Sequence, residues 1–595
     1  MGDDTIGGML KPRVEKYGDR VMMMHKVAGS WVDISWNQFY DKVQKLGLAM
    51  MSGGVKPGDR VAIFSANSPE WQMCDMAILS IGAVNVPLYA TITAKQAEYI
   101  LADSGSKMIF VGSESHMDRV LEVCDDLPEL QKIITMDGAN SDHADVITFD
   151  DMLNLGAKNA NPQEFFTRLE AVSPEDLCSI VYTSGTTGNP KGVMLLHRNF
   201  LSNVTTASSF VDVEDTDVCL SFLPLSHVLE RMSGYYTSVY NGVTIAHAES
   251  IDTLTDDIVE IRPHFMVSVP RLYEKIYAGV LANVDSEPPL KQKIFNWAVG
   301  VGRQVSLLTV NHKDVPALLG LKYKIANKLV FSKIYAKMGG RLRFFFSGGA
   351  PLAREIAEFF HAMGIMILEG FGLTETSPVL TVNRPDAIRF GSVGQPLPGV
   401  EIKIADDGEI LAKGPNVMKG YWNRPEETAE ALEGGWFHTG DIGHLDEDDF
   451  LFITDRKKDL IVTAGGKNIS PQNIENTLKL DKYIEQVAVI GDKRKFVSAL
   501  IVPTFGELEV WAGKEGIDTG DRKKMLADPR VQELYKQRID EGLADFDRHE
   551  RVTRFVLLPE DMTEESGLLT PTLKVKRKEV TTRYAGEIEG MYSGD

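Results

Sequence analysis

The sequence predicts an α/β fold with largely parallel sheets, divided into a large N-terminal domain and a small α+β C-terminal domain. Short apolar runs alternate with helix-like segments through the first part of the chain. Short strand-like pieces with many glycines follow residue 390, and a charged cluster at 455–459 precedes a last unit of mixed character. A chain of 595 residues also exceeds what one hydrophobic core usually organises. We therefore place the N-terminal domain at residues 1–456 and the C-terminal domain at 457–595.

The order of predicted elements follows from apolar periodicity. A helix is predicted between Ser35 and the glycines at 53–54, because apolar residues recur there at helical spacing. The segment 285–345 reads as mainly helical, and a β-rich subdomain is expected after residue 390 with GSVGQPLPGVEIKI and GEILAKGP as its first pieces. Strands are predicted at 61–64, 108–111, 179–182, 265–269 and 486–490.

Composition and charge exclude several classes of protein. Hydrophobic residues at 43% and charged residues at 25% fit a globular chain, and a net charge of −21 disfavours a broad nucleic-acid surface. The four cysteines are far apart without CxxC spacing, so disulfides and zinc are not expected. The first residues lack the basic segment of a signal peptide, and the apolar stretch at 76–89 is too short to span a bilayer. These features favour a cytoplasmic protein.

A glycine-rich loop, YTSGTTGNPKG at 182–192, has the residue types that bind phosphates. Glycines allow backbone N–H groups to approach an anion, hydroxyls donate hydrogen bonds, and Lys191 adds a positive charge. The loop is not a Walker A motif, because Pro190 precedes the lysine, Gly192 replaces the Ser or Thr that would hold magnesium, and an apolar strand-like run follows. A flexible surface turn could explain glycine and threonine here, but it would not explain so many of them together with a lysine.

The loop also resembles the signature of the adenylate-forming superfamily of acyl-CoA synthetases, luciferases and peptide-synthetase adenylation domains. The resemblance continues through LPLSHVLER at 223–231, SGGAPL at 347–352, EGFGLTETSP at 369–378, GWFHTGD at 435–441 and DRKKDLIVTAGGKNISP at 455–471. The segments VPRLYEKI at 269–276 and LTPTLKVKRK at 569–578 resemble the long-chain fatty acyl-CoA synthetases. The resemblance implies that a fatty acid, ATP and coenzyme A are converted through an acyl-adenylate to acyl-CoA, AMP and diphosphate, with Mg²⁺ as cofactor.

The resemblance also implies roles for residues of the nucleotide site. Thr374 is expected to donate a hydrogen bond to the α-phosphate, and Glu375 is expected to ligate magnesium. A Glu in this loop could instead cap a helix. Phe371 on its own would more often belong to the core, and Asp441 and Arg456 would otherwise be surface charges. The residues expected to bind ATP or AMP are Thr183, Ser184, Gly185, Thr186, Thr187, Gly188, Lys191, Gly349, Ala350, Glu369, Gly370, Phe371, Asp441 and Arg456.

Four further expectations concern the two-step reaction. His227 is expected near the point where the carboxylate meets the CoA thiol, and Lys574 is expected to touch the carboxylate and α-phosphate during adenylation, with Lys576 as the alternative. Lys458 matches the family's hinge residue, about which the C-terminal domain is expected to move. Gly465 and Gly466 match the loop that is expected to line the CoA channel. In some relatives an aromatic gate to the fatty-acid tunnel lies four residues after the histidine, where this chain has Arg231.

Other functions are compatible with the same adenylation motifs. A medium-chain or aromatic acid could be the substrate, a carrier-protein thiol could be the acceptor, and a silent protein could bind acyl or adenylate ligands without turnover. The sequence leaves open the chain length of the acid, a homodimer, and peripheral contact with a membrane, in which a fatty substrate would dissolve.

Overall fold

A computed structural model gives the structure of the chain and describes residues 3–158, 161–183, 189–457, 460–464, 467–563, 566–569 and 575–593. The strands are β1 (Val21–Val27), β2 (Ser30–Ser35), β3 (Arg60–Phe64), β4 (Val84–Leu88), β5 (Met108–Val111), β6 (Lys132–Thr135), β7 (Val146–Thr148), β8 (Leu177–Thr183), β9 (Lys191–Leu196), β10 (Val218–Ser221), β11 (Thr244–His247), β12 (Phe265–Ser268), β13 (Phe344–Ser347), β14 (Met366–Gly372), β15 (Val379–Val382), β16 (Gln395–Pro396), β17 (Glu401–Ile404), β18 (Glu409–Lys413), β19 (Gly420–Tyr421), β20 (Phe437–Leu445), β21 (Leu451–Arg456), β22 (Ile461–Val462), β23 (Asn468–Ile469), β24 (Ile484–Ile490), β25 (Val497–Pro503) and β26 (Val552–Leu557).

The α-helices connect and cover these strands. They are α1 (Leu10–Tyr17), α2 (Trp36–Ser52), α3 (Pro69–Ser80), α4 (Ala94–Ser104), α5 (Glu114–Leu121), α6 (Phe149–Lys158), α7 (Pro162–Ala171), α8 (His197–Phe210), α9 (Thr237–Asn241), α10 (Leu254–Ile261), α11 (Pro270–Asp285), α12 (Pro289–Val310), α13 (Ala317–Ala326), α14 (Ser332–Lys337), α15 (Arg354–Ala362), α16 (Pro425–Ala431), α17 (Pro471–Leu478), α18 (Phe505–Lys514), α19 (Arg522–Ala527), α20 (Pro529–Gly542), α21 (Arg577–Arg583) and α22 (Ala585–Tyr592). Wider π-helical turns occur at Glu230–Tyr236 and Asn327–Phe331.

Two sheets form the core of the first 390 residues. One has the strand order β19-β9-β8-β4-β3-β5-β6-β7 and the other β16-β15-β14-β13-β12-β10-β11-β1-β2. Pairing is parallel from β8 through β4, β3, β5 and β6 to β7, and from β14 across to β1. The strands β9, β19, β15, β16 and β2 pair antiparallel. The predicted α/β class with largely parallel sheets is therefore confirmed.

The predicted elements lie close to where the sequence placed them. Ser35 caps α2, since its Oγ accepts a hydrogen bond from Gln38 N at 3.2 Å. The predicted strand at 265–269 ends one residue early, because Pro270 begins α11 and its fixed φ suits a first helical position. The strand expected at 486–490 begins at Ile484, and the segment 285–345 is mainly helical up to β13.

The β-rich subdomain after residue 390 is an antiparallel sheet in the order β17-β18-β20-β21. The charged cluster expected to interrupt the chain past Thr454 begins inside this sheet, because β21 continues through Asp455 to Arg456. The strand continues because Asp455 and Arg456 pair with Ile442 and Asp441 of β20.

The residues from 461 onward have a separate hydrophobic core. Its buried members run from Ile461 to Met591 around the mixed sheet β24-β25-β26. Two exposed ion pairs join this unit to α11: Arg271 with Glu485 at 3.2 Å and Lys482 with Asp285 at 3.0 Å. None of the helices that the structure describes combines the length and the apolar character needed to cross a bilayer.

Candidate active site

A cleft of about 4600 Å³ opens at the carboxyl ends of β8, β12, β13 and β14 and extends to the antiparallel sheet. In open α/β sheets, ligands bind outside the carboxyl ends of the strands. The predicted site residues that line this one cleft are Thr183, Lys191, His227, Gly349, Ala350, Glu369, Gly370, Phe371, Thr374, Glu375, Asp441 and Arg456. The predicted residues that lie outside the described part of the chain are Ser184, Gly185, Thr186, Thr187, Gly188, Lys458, Gly465, Gly466 and Lys574.

Thr183 and Lys191 stand opposite each other where β8 and β9 pair as an antiparallel hairpin. Because a strand follows Lys191, the loop differs from a P-loop, which opens a helix. The ammonium of Lys191 lies 5.1 Å from the centre of the Tyr421 ring, within the range of a cation–π contact. The positively charged side chain of Lys191 thus lies at the C-terminal end of the glycine-rich loop.

Glu375 also contacts Tyr421 and lies in a short turn at Thr374–Thr376 that follows β14. The hydroxyl of Tyr421 donates a hydrogen bond to Glu375 Oε1 at 2.9 Å, and Met418 N donates to the Glu375 carbonyl at 2.8 Å. The capping bond of this turn comes from Thr376, whose Oγ1 accepts from Leu373 N at 2.9 Å. Burial raises the pKa of Glu375, while the Tyr421 hydrogen bond and the charge of Arg456 oppose the rise. A bound cation would favour the ionised form.

Glu369 supports the neighbouring loop at 347–352 from below. Its Oε1 accepts a hydrogen bond from Leu352 N at 3.1 Å, and burial raises its pKa to about 8. Gly349 in this loop has a φ of +85°, a conformation that favours glycine. Phe371 is half-buried: it lines the cleft and also packs against the core around Val393. The core interpretation and the pocket interpretation of Phe371 therefore both apply.

Asp441 and Arg456 face each other across β20 and β21. Arg456 Nε donates to Asp441 Oδ1 at 3.0 Å, and Asp441 is 3% exposed. The alternative interpretation of both residues as surface charges is thus wrong for Asp441. The pair offers a carboxylate acceptor and guanidinium donors at one wall of the cleft.

Two family models match separate parts of the chain. One, described as AMP-binding enzyme, matches residues 10–422, and the other, described as AMP-binding enzyme C-terminal domain, matches residues 458–595. The chain belongs to the AMP-binding enzyme family. The first model spans the glycine-rich loop and Glu375, and the second spans the C-terminal unit with its separate core.

Curated relatives of this AMP-binding enzyme cover nearly all of it. The long-chain-fatty-acid–CoA ligase FadD15 of Mycobacterium bovis is 35% identical over 99% of this chain and 97% of its own. The peroxisomal long chain acyl-CoA synthetase 6 of Arabidopsis thaliana is 35% identical over 92% of this chain and 80% of its own. Among solved structures, the anthranilate CoA ligase AuaEII in complex with anthranoyl-AMP superposes with a TM-score of 0.75 at 19% identity, covering 98% of each chain. This last likeness confirms the adenylate-forming fold.

Two residues that sequence reasoning missed line the same wall of the cleft as Asp441 and Arg456. Lys457 lines the cleft, and its Nζ lies 3.0 Å from Glu409 Oε2 and 2.7 Å from Asp407 Oδ2. Glu409 Oε1 in turn accepts from Gly440 N at 2.9 Å, which fixes the backbone next to Asp441. Glu409 opens an ordinary strand pattern in the sequence, and only the pairing of β18 with β20 brings it next to Gly440.

His227 lines the cleft of the AMP-binding enzyme, and its Nδ1 accepts a hydrogen bond from Leu229 N at 3.1 Å. The accepted bond fixes the ring and leaves the proton of a neutral imidazole on Nε2. The His227 carbonyl accepts a hydrogen bond from Arg231 N at 3.1 Å, which links His227 to the π-helical segment Glu230–Tyr236.

Arg231, at the expected gate position, is completely buried and does not face the cleft. Its guanidinium pairs with Asp75, donates from Nη1 to Ser179 Oγ at 2.8 Å and donates from Nε to Tyr236 OH at 2.8 Å. Tyr236 OH donates in turn to Asp75 Oδ2 at 2.8 Å. The sequence could not reveal this pair, because Asp75 and Arg231 are 156 residues apart and Glu230 is a nearer acid for Arg231.

Proposed function

We propose that the chain is an ATP-dependent long-chain fatty acid–CoA ligase, which forms an acyl-adenylate with release of diphosphate and then an acyl-CoA with release of AMP. The main supporting observation is that three charged groups line one cleft. They are the Lys191 ammonium next to the glycine-rich loop, the Glu375 carboxylate that Tyr421 hydrogen-bonds, and the Asp441–Arg456 ion pair. The choice of a long-chain acid is supported by the names of the near-full-length relatives.

In this proposal the triphosphate lies along the loop between Thr183 and Lys191. Ser184, Gly185, Thr186, Thr187 and Gly188 would supply backbone and hydroxyl donors there. Thr374 would donate to the α-phosphate, and Asp441 with Arg456 would bind the ribose hydroxyls. The adenine would lie between the Gly349–Ala350 loop and the Gly370–Phe371 segment, where Glu369 holds the loop in place.

The magnesium ligand of the protein would be Glu375. A single protein carboxylate together with phosphate oxygens is the donor set that Mg²⁺ commonly uses, and the Glu375 carboxyl fits it because it lines the cleft. When bound, the ion would neutralise charge on the phosphates that leave as diphosphate. Tyr421 would orient the carboxylate through its hydrogen bond.

The C-terminal unit would serve both half-reactions in turn. Lys574 would offset the charge that develops at the α-phosphate, and it would leave when the domain turns about Lys458 and brings Gly465 and Gly466 to the CoA channel. His227 would lie near the carboxylate. The exposed ion pairs that join this unit to α11 favour such a movement, because exposed pairs typically contribute at most about 1 kcal/mol.

The test is an assay of diphosphate and acyl-CoA formation with MgATP, with and without CoA, for carboxylic acids from acetate to oleate plus benzoate. We expect a CoA-dependent optimum at long chains. An optimum at medium-chain or aromatic acids would keep the chemistry and change the substrate. No turnover with any acid would favour a carrier-protein acceptor or a silent binding protein.

A further inference from the structure

One helical segment, residues 317–337, carries a row of exposed apolar side chains. The segment runs from α13 through the π-helical turn into α14, and we call it the basic-apolar helix. The exposed fractions are 67% for Leu318, 56% for Leu321, 45% for Ile325 and 44% for Leu329. Their spacing of three and four residues puts them on one side of a helix. A row of this kind marks a surface that contacts something apolar.

The opposite side of the basic-apolar helix is fixed to the protein. Ala326 and Phe331 are fully buried, and Tyr323 OH donates a hydrogen bond to Ala362 O at 3.0 Å. A Cβ added at Gly302 of α12 would lie 2.8 Å from the Phe331 ring, so the two helices are in close contact there. The leucine row therefore points outward because the other face is anchored in the core.

The charge of this surface is opposite to that of the whole chain. The basic-apolar helix contains five lysines and no Asp or Glu, and residues 289–353 contain eleven Lys or Arg and a single acid, Asp314. The chain as a whole has a net charge of −21. None of those five lysines, which are Lys322, Lys324, Lys328, Lys333 and Lys337, forms an ion pair with another residue in the described ranges. Lysines that flank an apolar row are complementary to a surface that is anionic outside and apolar inside.

The neighbouring helix α12 also carries exposed apolar side chains. Leu290 is 71% exposed, Leu307 41% and Trp297 39%, and tryptophan is enriched where proteins meet the headgroup level of a bilayer. α12 packs against α13, α15 and α11. Residues of α11 and α15, among them Tyr277 and Ile356, line the cleft. Helices α11 and α15 therefore contact both α12 and the cleft of the proposed active site.

We infer that the basic-apolar helix, with the exposed face of α12, docks on an anionic phospholipid bilayer. The leucines would enter the boundary between headgroups and acyl chains, and the lysines would lie at the phosphate level. The contact is peripheral and independent of ATP. It rests on the proposed function only for its purpose, which is to bring the cleft close to fatty acids dissolved in the membrane.

The experiment is vesicle flotation of the full chain without ATP, CoA or fatty acid. One set of vesicles contains phosphatidylcholine alone and the other phosphatidylcholine mixed with phosphatidylglycerol. The variants are Lys322→Gln with Lys328→Gln, and Leu321→Gln with Ile325→Gln. The matched controls lie on α18 of the C-terminal unit, where Lys514→Gln removes an exposed lysine and Val510→Gln removes a valine that is 59% exposed.

We expect binding to the anionic vesicles and little to the neutral ones. Each lysine near an anionic surface changes affinity about fivefold, so the double lysine variant should bind about 25-fold more weakly. The leucine–isoleucine variant should also lose binding, and both controls should bind as the unchanged chain does. Thermal unfolding of each variant checks that it is folded. If the Leu321→Gln with Ile325→Gln variant is unfolded, the double lysine variant alone decides the test.

Three results would overturn the inference. The first is equal binding of the variants and controls, and the second is binding to heparin or an acidic protein with none to anionic vesicles. The third is a homodimer in sedimentation that the same variants dissociate, which would assign the surface to a second copy of the chain. Loss of the proposed ligase function would look different, because the chain would then float with vesicles and turn over no acid.

Discussion

Replacement of Asp75 by Asn should destabilise the large domain strongly, because it leaves the Arg231 guanidinium buried without a counter-charge. Both side chains are 0% exposed, and Arg231 has Trp71, Phe200 and Tyr236 rings within 5.5 Å of its guanidinium. Breaking a buried ion pair by removing one partner costs about 3–5 kcal/mol. Arginine cannot escape this cost by losing a proton, since its pKa exceeds about 12.

Replacement of Arg231 by Met should cost less, and its cost should depend on pH. Burial already raises the pKa of Asp75, with Arg231, Tyr236 and Asn85 opposing the rise. Without the guanidinium, the carboxyl group can take up a proton and become neutral. The destabilisation by Arg231→Met should therefore be smaller at acidic pH and grow as pH rises. The double variant Asp75→Asn with Arg231→Met carries no buried charge and should cost far less than the sum of the two single changes.

The assay is urea unfolding followed by tryptophan fluorescence, which Trp71 reports from 5.5 Å away. The matched control is Glu485→Gln, which breaks the exposed pair with Arg271 and should cost at most about 1 kcal/mol. Additive costs in the double variant, or a cost of Asp75→Asn as small as the control, would refute the buried pair. The same double variant also tests whether Arg231 acts as a gate to the fatty-acid tunnel. If the Asp75–Arg231 pair does not move, its replacement should leave the preference for acyl chain length unchanged.

Four further predictions address chemistry and pH. Lys574→Ala should slow adenylation by about 100- to 1000-fold and largely spare CoA transfer from supplied acyl-AMP, as measured by separate half-reactions; equal losses would contradict its role. Lys458→Pro should slow the second half-reaction more than the first, and an unchanged ratio of the two rates would count against a hinge. Glu375→Gln should raise the Mg²⁺ concentration needed for half-maximal adenylation, whereas an unchanged titration would remove Glu375 as a ligand. Burial raises the pKa of Glu230 from 4.5 to about 8. Between these two pH values the folded chain keeps a proton on Glu230 that the unfolded chain releases. The free energy of unfolding therefore falls by up to about 1.4 kcal/mol per pH unit as pH rises through this range. Glu230→Gln should therefore gain stability relative to the unchanged chain from pH 5 to 8 in urea unfolding; a constant difference would show that Glu230 does not titrate in this range.

The parallel sheets and their approximate strand positions were predictable because each depends on a local pattern. The run at 61–64 and the run at 108–111 are apolar throughout, as strands covered on both faces must be, and both appear as β3 and β5. Ser35 marked the start of α2 because a hydroxyl can accept the hydrogen bond of an orphan N–H. Such signals lie within a few residues of the feature that they predict.

The residues that were missed depend on contacts between distant segments. Glu409 lies beside Asp441 in the cleft only because β18 pairs with β20, which brings Glu409 to Gly440, 31 residues later in the chain. Arg231 and Asp75 are 156 residues apart, and neither sequence segment contains information about the other. A single sequence shows that a charge stands in an apolar segment, and the physics of burial then requires a partner, but only the fold identifies it.

The burial of Arg231 also changes how entry to an acyl pocket can work in this enzyme. An aromatic side chain can swing between rotamers at small cost, but Arg231 is held by Asp75, Ser179 and Tyr236, and moving it would expose several buried polar groups at once. The neighbouring turn is equally constrained, since a Cβ at Gly234 would lie 2.4 Å from Glu230 Oε1. Entry of a fatty acid should therefore depend on movement of elements outside this segment, such as α11, which lines the cleft and packs against the proposed membrane surface.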